Sequence, residues 1–289
     1  MQNRRSTPAA APLALPRDIR LAIVSSATRP PDGDGWLHEV KHDGHRIVAI
    51  LDGRAGLKLI SRNGHDRAPP FRAPFRELLS CRREIVIDGE MAVPDDRGVT
   101  HIDDLHDAVA RRQANRLAYF AFDLLFLDGR DLRRYPIEDR KGLLREVLAQ
   151  LSCPRVVYID HIVGRGAELL RHVEAIGAEG IVSKRAGSLY NGGESRDWRT
   201  TKCHRTGRFV VTGFQELGPG RLEALHVAED RNGELVAAGQ VRFGFAGKGL
   251  WAIMDQLRAG SPGRYGIVPI EPWLAIKVKY FGRHKSGAI

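Results

Sequence analysis

The stretch EVKHDGHR, Glu39 to Arg46, sets one lysine at the end of a strand-like run and just ahead of a turn. Residues Trp36 to Lys41 alternate in the manner of a strand, Asp43 and Gly44 are turn formers, and Arg46 to Leu51 starts a second run. A third run, Leu57 to Ser61, follows through Asp52, Gly53 and Gly56. Lys41 is therefore expected to close one strand and head into a turn, with Arg46 returning towards it. A lysine amine attacks phosphorus only as the free base, so it needs neighbouring cations or desolvation, and an anchored phosphate in front of it. The plainer reading of the same residues is a solvated turn between two strands.

Working outward, Phe71 to Leu79 and Asp103 to Arg111 have helical character. Glu84 to Val93 is strand-like with Gly89 interrupting it before the Pro94-Asp95-Asp96 turn, and Leu117 to Leu127 is a long apolar strand closed by Asp128-Gly129. Pro136 can open a helix whose buried face is Leu144, Val147, Leu148 and Leu151. Leu169, Leu170, Val173 and Ile176 predict a second helix, which Gly177 ends before the strand Gly180 to Lys184. Strands and helices mix here without regular βαβ spacing, which predicts an α+β fold. From Arg205 onward the pattern changes to strands at Phe209 to Phe214, Leu222 to Val227, Leu235 to Phe243 and Leu274 to Tyr280. Asn232-Gly233 is a hairpin turn, and one helix is expected near Gly249 to Leu257. The expected organisation is a flexible basic and Ala/Pro-rich tail over 1–15, an α+β domain over 16–204, and a small β-barrel over 205–289.

Composition narrows the function classes. The 289 residues are 43% hydrophobic and 28% charged, which is globular, and the apolar runs are strand-sized. No run approaches the roughly 18 residues of a membrane helix, and MQNRRSTPAAAP leads into no apolar segment of signal-peptide length. A membrane role is not expected, and a cytoplasmic, nucleoid-associated location is. The three cysteines, Cys81, Cys153 and Cys203, lack the paired spacing of a zinc site or disulfide framework. Lys and Arg outnumber Asp and Glu by 45 to 35, a net charge of +10 that favours a polyanionic partner.

Lys41 to Arg46 resembles the Lys-x-Asp-Gly-x-Arg motif of the covalent nucleotidyltransferases, which comprise ATP-dependent DNA ligases, RNA ligases and capping enzymes. Its companions follow in family order: Ser61-Arg62-Asn63-Gly64, Asp88-Gly89-Glu90, Phe122-Asp123-Leu124-Leu125, Glu179 to Lys184, then Asp197-Trp198 and Lys202-Cys203. The stretches LISRNGHD, FDLLFLDGRDL, EGIVSKR and CHRTGRFVVTGF are most similar to bacterial end-joining DNA ligases, in particular the ligase domain of the ligase D type. No polymerase or phosphoesterase domain is expected beside it. The resemblance implies a nucleotidyltransferase (ATP-grasp-like) domain of antiparallel sheets with flanking helices, followed by an OB-fold.

It also implies roles. Lys41 would attack the α-phosphate of ATP, releasing pyrophosphate and leaving a lysyl-AMP that is passed to the 5′-phosphate of a nick. Glu39 would contact adenine and Phe122 would stack on it, against the competing reading of Phe122 as a core residue. Arg46 would bind the nucleotide, and Arg62 the nucleotide or the nick phosphate. Lys184 and Lys202 would hold the α-phosphate. Glu90 and Glu179 would hold Mg2+, with Mn2+ as a substitute, Glu90 also lying in the nucleotide site. Nicked or broken duplex DNA is the implied substrate, a Ku-like end-binding protein the candidate recruiter, and a monomer the expected state.

Two departures weaken the match. The family's Trp-x-Lys-x-Lys reads Trp198-Arg199-Thr200-Thr201-Lys202, so a cation near the α-phosphate has become Thr200. Arg199 points to the opposite strand face and cannot replace it. The family's terminal motif for orienting pyrophosphate has only Arg283, His284 and Lys285 as counterparts. These features leave two alternatives open: an RNA ligase or capping-type transferase, and a nick-binding accessory protein with weakened self-adenylation.

Overall fold

The structure, a computed structural model, describes residues 13–16, 19–54, 56–151, 153–218, 221–244, 261–263, 266–280 and 289. The described chain divides into two compact units with the boundary between Cys203 and His204.

The first unit is built on two sheets. One has the order β1-β11-β10-β2-β9, formed by β1 (Ala22–Ser26), β2 (Gly33–Lys41), β9 (Ile162–Gly164), β10 (Gly180–Arg185) and β11 (Gly193–Lys202). The other has the order β4-β3-β5-β6-β7, formed by β3 (His45–Asp52), β4 (Leu57–Ser61), β5 (Glu84–Ala92), β6 (Ala118–Leu127) and β7 (Arg130–Asp131), with β8 (Val156–Tyr158) against β6. Pairing is antiparallel except for β1 with β11 and β6 with β8. Helices α1 (Ala68–Phe71), α2 (Ile102–Ala110), α3 (Ile137–Leu151) and α4 (Gly166–Ile176) flank them.

The near-continuous apolar sequence of β3 and β5 follows from burial on both faces. Ile47, Ala49, Leu51, Ile85 and Ile87 face a core completed by Phe75, Leu105, Leu144 and Val147. The alternate residues Val48, Ile50 and Val86 pack instead with Leu37, Ala22 and Trp198 of the first sheet. Period-2 alternation therefore persists, but both phases are hydrophobic. The two sheets meet through that second core, which leaves a cavity beside it.

Several expectations need correction. Phe71 to Leu79 is not one helix but α1 followed by two single 3₁₀ turns, Ala73–Phe75 and Glu77–Ser80. Pro69 and Pro70 fit the first turn of α1, but Pro74 removes an amide donor that a continuous helix needs and clashes with the preceding turn. In α4 only Val173 of the four predicted face residues is buried, and Ile176 is 41% exposed because it ends the helix at Gly177. Gly89 does not break its strand: β5 runs through it, with a pairing irregularity against β6 between Asp88 and Gly89. Strands β8 and β9, of three residues each, carry too few residues for a periodic signal.

The second unit is a β-sheet centred on β12 (Arg205–Gly218). β12 pairs along one edge with β13 (Arg221–Arg231), through three register shifts. Its other edge takes β16 (Ala275–Tyr280) at one end and β15 (Val268–Pro269) further along. β14 (Glu234–Val241) extends the sheet beyond the Asn232-Gly233 turn. Phe209, Val211, Phe214, Leu225, Val227 and Val278 form its core. The helix expected near Gly249 to Leu257, and Arg283, His284 and Lys285, lie outside the described residues.

Gly89 has a packing reason. A Cβ there would lie 2.5 Å from the Tyr119 ring and 2.6 Å from the Phe120 carbonyl oxygen. The Tyr119 hydroxyl is fixed between the carbonyls of Ile47 (2.8 Å) and Ile87 (3.0 Å), so the ring cannot yield without losing its partners. Gly89→Ala is expected to cost about 3 kcal/mol through overpacking. An unchanged urea midpoint for that variant would contradict this reading.

Candidate active site

Between the sheets of the first unit lies a cavity of about 860 Å³. Glu39, Lys41, Arg46, Arg62, Glu90, Phe122 and Lys184 line it, with the β1 segment closing one side. Lys41 is the last residue of β2, facing Gly180 of β10.

The turn that follows Lys41 is pinned at three points. The Asp43 carboxylate does not bond locally: it accepts the amide of Ile102 (3.0 Å), the first residue of α2, while the Asp43 amide donates to Thr100 Oγ1 (2.8 Å). Carboxylates suit this place because the first helix amides lack intrahelical acceptors. Gly44 allows contact with β5, since a Cβ there would lie 2.2 Å from the Met91 carbonyl oxygen. Arg46 makes a bidentate pair with Asp88 (3.0 and 2.7 Å) and donates to the Ala22 carbonyl at 2.6 Å. Burial works against its charge, but Asp88 outweighs burial and raises the guanidinium pKa. Tyr190 completes the group by donating to Asp88 at 2.6 Å. Arg46 thus spends most of its donors on protein, and what it offers a ligand is chiefly its exposed edge and its place 5.5 Å from the Phe122 ring.

Two carboxylates are each shared between two lysines. Glu179 takes the Lys41 ammonium on one oxygen and that of Lys202, at 2.8 Å, on the other. Glu39, 2% exposed, takes Lys141 at 2.6 Å on Oε1 and Lys184 at 2.7 Å on Oε2. Burial alone would raise the Glu39 pKa, but the two ammonium groups outweigh it and hold the carboxyl below its ordinary value. Burial pushes Lys184 down to about 8, Glu39 opposing and Lys141 adding to the shift. The Lys184 ammonium also lies 4.5 Å from the Phe122 ring and 4.4 Å from that of Trp198.

Phe122 is only partly buried and borders the cavity, with Trp198 edge-on at 6.1 Å. It is at once a wall of the second core and a surface open to the cavity. Glu90, beside Arg46 in the β3–β5 ladder, has its carboxyl pushed up to about 8, chiefly by burial. Lys41 and Arg46 oppose that shift, and Asp88 and Glu179 reinforce it. Carboxylates that repel one another at a partly open site suit a divalent cation. Magnesium needs only one or two of them, the rest of its shell being phosphate and water. Glu90 and Glu179 fit that requirement. No group of three or more His, Cys, Asp or Glu suited to a metal occurs among the described residues.

Thr200 lies opposite Val182 in the β10–β11 ladder, two residues from both Trp198 and Lys202 and so on their strand face, its hydroxyl 3.5 Å from the Ile181 carbonyl oxygen. Arg199 sits over the Trp36 ring at 5.0 Å, away from the cavity, as the strand alternation requires. Arg62 is an exposed residue of the rim. Two of the chain's surface arginines, Arg83 and Arg133, are each 2.7 Å from an aspartate, Asp128 and Asp131.

Sequence reasoning missed Lys141. A signal existed: it precedes Leu144 and Leu148 by three and seven residues, on the buried stripe of α3, where a lysine must be paired. It assigned no role to Asp88 or Tyr190 either, because their partners are distant in sequence.

Residues 20–202 match the family model of the ATP dependent DNA ligase domain, and the chain belongs to that family. The multifunctional non-homologous end joining protein LigD of Pseudomonas aeruginosa is 30% identical over 252 residues, 84% of this chain and 29% of that protein. LigD of Mycolicibacterium smegmatis is 30% identical over 273 residues, 88% of this chain and 35% of its own length. The chain thus spans about a third of the LigD proteins it matches. Among solved structures, mycobacterial DNA ligase D complexed with ATP and MES is 27% identical with a TM-score of 0.57, covering 93% of this chain and 91% of that one.

His42, next to the lysine, stacks on Phe120 at 3.8 Å. Burial, reinforced by Lys41 and opposed by Glu39, pushes it down to about 4, and burial also lowers His38, His45 and His161. The unfolded chain takes up these protons near pH 6.5 and the folded chain only at lower pH. Folding stability is therefore present above that value and lost as pH falls towards 4. Urea midpoints should drop between pH 7 and 5, less steeply in His42→Gln; parallel profiles would contradict the assignment.

Proposed function

We propose that the chain is the catalytic module of an ATP-dependent DNA ligase that seals nicks in duplex DNA through a lysyl-AMP on Lys41. The observation that carries this is the position of Lys41 at the end of β2, facing the cavity and held against Glu179 together with Lys202. In the first step the Lys41 amine forms a bond to the α-phosphorus of ATP as the bond to the bridging oxygen breaks, and pyrophosphate departs. Before that step Lys41 must give up its proton, and Glu179 is the carboxylate in hydrogen-bond contact with it. Lys202 and Lys184 hold the α-phosphate, where positioning and charge neutralisation supply most of the catalysis. Phe122 offers its ring to adenine, Glu39 accepts from the base, and Arg46 and Arg62 border the sugar and phosphates. Glu90 and Glu179 would hold Mg2+ or Mn2+, which when bound neutralises phosphate charge.

The second unit, with its long bulged strand paired to different partners along each edge, supports an OB-fold that contacts duplex backbone together with the basic surface. Likeness to end-joining LigD proteins supports broken duplex ends as the substrate, and a Ku-like recruiter and a monomeric working form belong to the same proposal.

Sealing of a nicked DNA duplex with ATP and magnesium tests the reading. Wild type should seal it and Lys41→Ala should not, with nicked RNA and GTP as poor substitutes. Absence of sealing on nicked DNA by wild type, beside sealing of nicked RNA, would replace it with the RNA ligase alternative.

Thr200 favours a second reading, in which self-adenylation is slow and binding to nicks dominates. A charge-assisted contact contributes about 1.5–3 kcal/mol, or roughly ten- to a hundredfold in rate. Thr200→Lys is expected to speed label transfer from α-labelled ATP by about tenfold or more. An unchanged rate would show that the missing cation is not limiting.

A further inference from the structure

We propose that Lys141 is a positioning residue for nucleotide binding: by sharing Glu39 with Lys184 it leaves the buried group with a net positive charge beside the cavity for the phosphates. The inference rests on the proposed ATP reading of the cavity.

The geometry separates the two lysines that share Glu39. Lys141 is 1% exposed, does not line the cavity, and directs its ammonium to Glu39 (2.6 Å), to the Ile159 carbonyl (2.8 Å) and towards the Tyr158 ring (4.7 Å). Lys184 is equally buried, at 1% exposed, so what separates the two is that only Lys184 borders the cavity. Lys184 does line the cavity and spends two contacts on protein, Glu39 at 2.7 Å and the Phe122 carbonyl at 3.2 Å. Among the described residues its third donor meets no protein acceptor, which leaves it for a ligand.

Charge counting gives the arrangement its sense. Were Glu39 paired with Lys184 alone, the buried pair would be neutral and the cavity floor would offer an anion little. With Lys141 added, one negative charge is shared by two positive ones. The nearby Asp123 does not cancel the surplus, because Arg140 takes it bidentately at 2.7 and 2.8 Å. A buried surplus charge is costly without a counter-charge, so it favours an anionic ligand and makes the empty site the unfavourable state. An alternative in which Lys141 only ties α3 to β2 predicts effects on stability and none on nucleotide affinity.

Groups facing Lys184 come from each packed element: Glu39 on β2, Lys141 on α3 and Asp123 on β6, with Arg46 on β3 beyond the Phe122 ring. Tyr158 and His161 face Lys141 from the segment around β8 and β9. Lys141 presses the Lys184 proton off, so removing it should let Lys184 stay charged to higher pH even as the surplus is lost.

The test is equilibrium binding of ATP with magnesium, by calorimetry, to the full chain carrying Lys41→Ala, which cannot form the covalent adduct. On that background Lys141→Met is expected to weaken ATP binding by about tenfold. It should also move to higher pH the point above which affinity falls. Lys141→Arg, which keeps the charge, should stay within about threefold of the parent. Lys141→Gln, which retains a donor for the Ile159 carbonyl, serves as the neutral variant if Lys141→Met does not fold. Unchanged affinity and pH profile in the neutral variant, or equal weakening in the neutral and arginine variants, would overturn the inference while leaving ATP binding intact. Failure of the Lys41→Ala parent itself to bind ATP would remove the ATP reading, and this inference with it.

Discussion

The cavity depends on the buried pair between Arg46 and Asp88. It ties the first strand after the lysine turn to the neighbouring strand of the same sheet, and through the Ala22 carbonyl and Tyr190 it reaches the other sheet. Asp88 has no exposed surface, so removing either partner leaves an uncompensated buried charge, a loss of about 3–5 kcal/mol. Because the pair bridges two sheets, its loss would also let β1 move off the cavity it closes. Asp43 on the amide of Ile102 and Gly44 on the Met91 carbonyl complete the fixing of the turn. A nucleophile gains from this because reactive geometry tolerates little misplacement.

Charge is distributed by a second device, used twice. Glu179 lies between Lys41 and Lys202, and Glu39 between Lys141 and Lys184. A carboxylate between two ammonium groups orders both without cancelling both. The first group holds the Lys41 ammonium at the cavity, and the second lies beside Phe122 and Trp198 on its wall. Glu90 stands apart from these pairs, its carboxyl pushed up to about 8 by burial, with Asp88 and Glu179 adding to the shift.

Much of this was legible in the sequence, for physical reasons that differ by residue. The lysine turn was readable because strand period, turn formers and chemistry coincide within eight residues. β3, β5 and β6 were readable as strands, yet their burial on both faces erases the polar phase, so nothing local tells which residues face the helices and which face the other sheet. Asp43 looked like a local turn residue because its partner, Ile102, lies 59 positions away. The pairing of Arg46 with Asp88 was hidden for the same reason: the acid that holds it comes from another strand. Lys141 was visible only as a charge on an apolar helix stripe, and its partner Glu39 lies 102 positions earlier. Local patterning thus gave most of the elements and the lysine turn, while the charge pairs around the cavity are long-range contacts.

The central claim is that Lys41 carries the nucleotide covalently. Incubation of the wild-type chain with ATP and magnesium, followed by peptide mapping by mass spectrometry, tests it most directly. The account predicts one AMP on the peptide containing Lys41, on the side-chain nitrogen, removed by adding pyrophosphate. AMP attached to any other residue, or an unmodified Lys41 peptide from a chain that nonetheless seals nicked DNA with ATP, would contradict it.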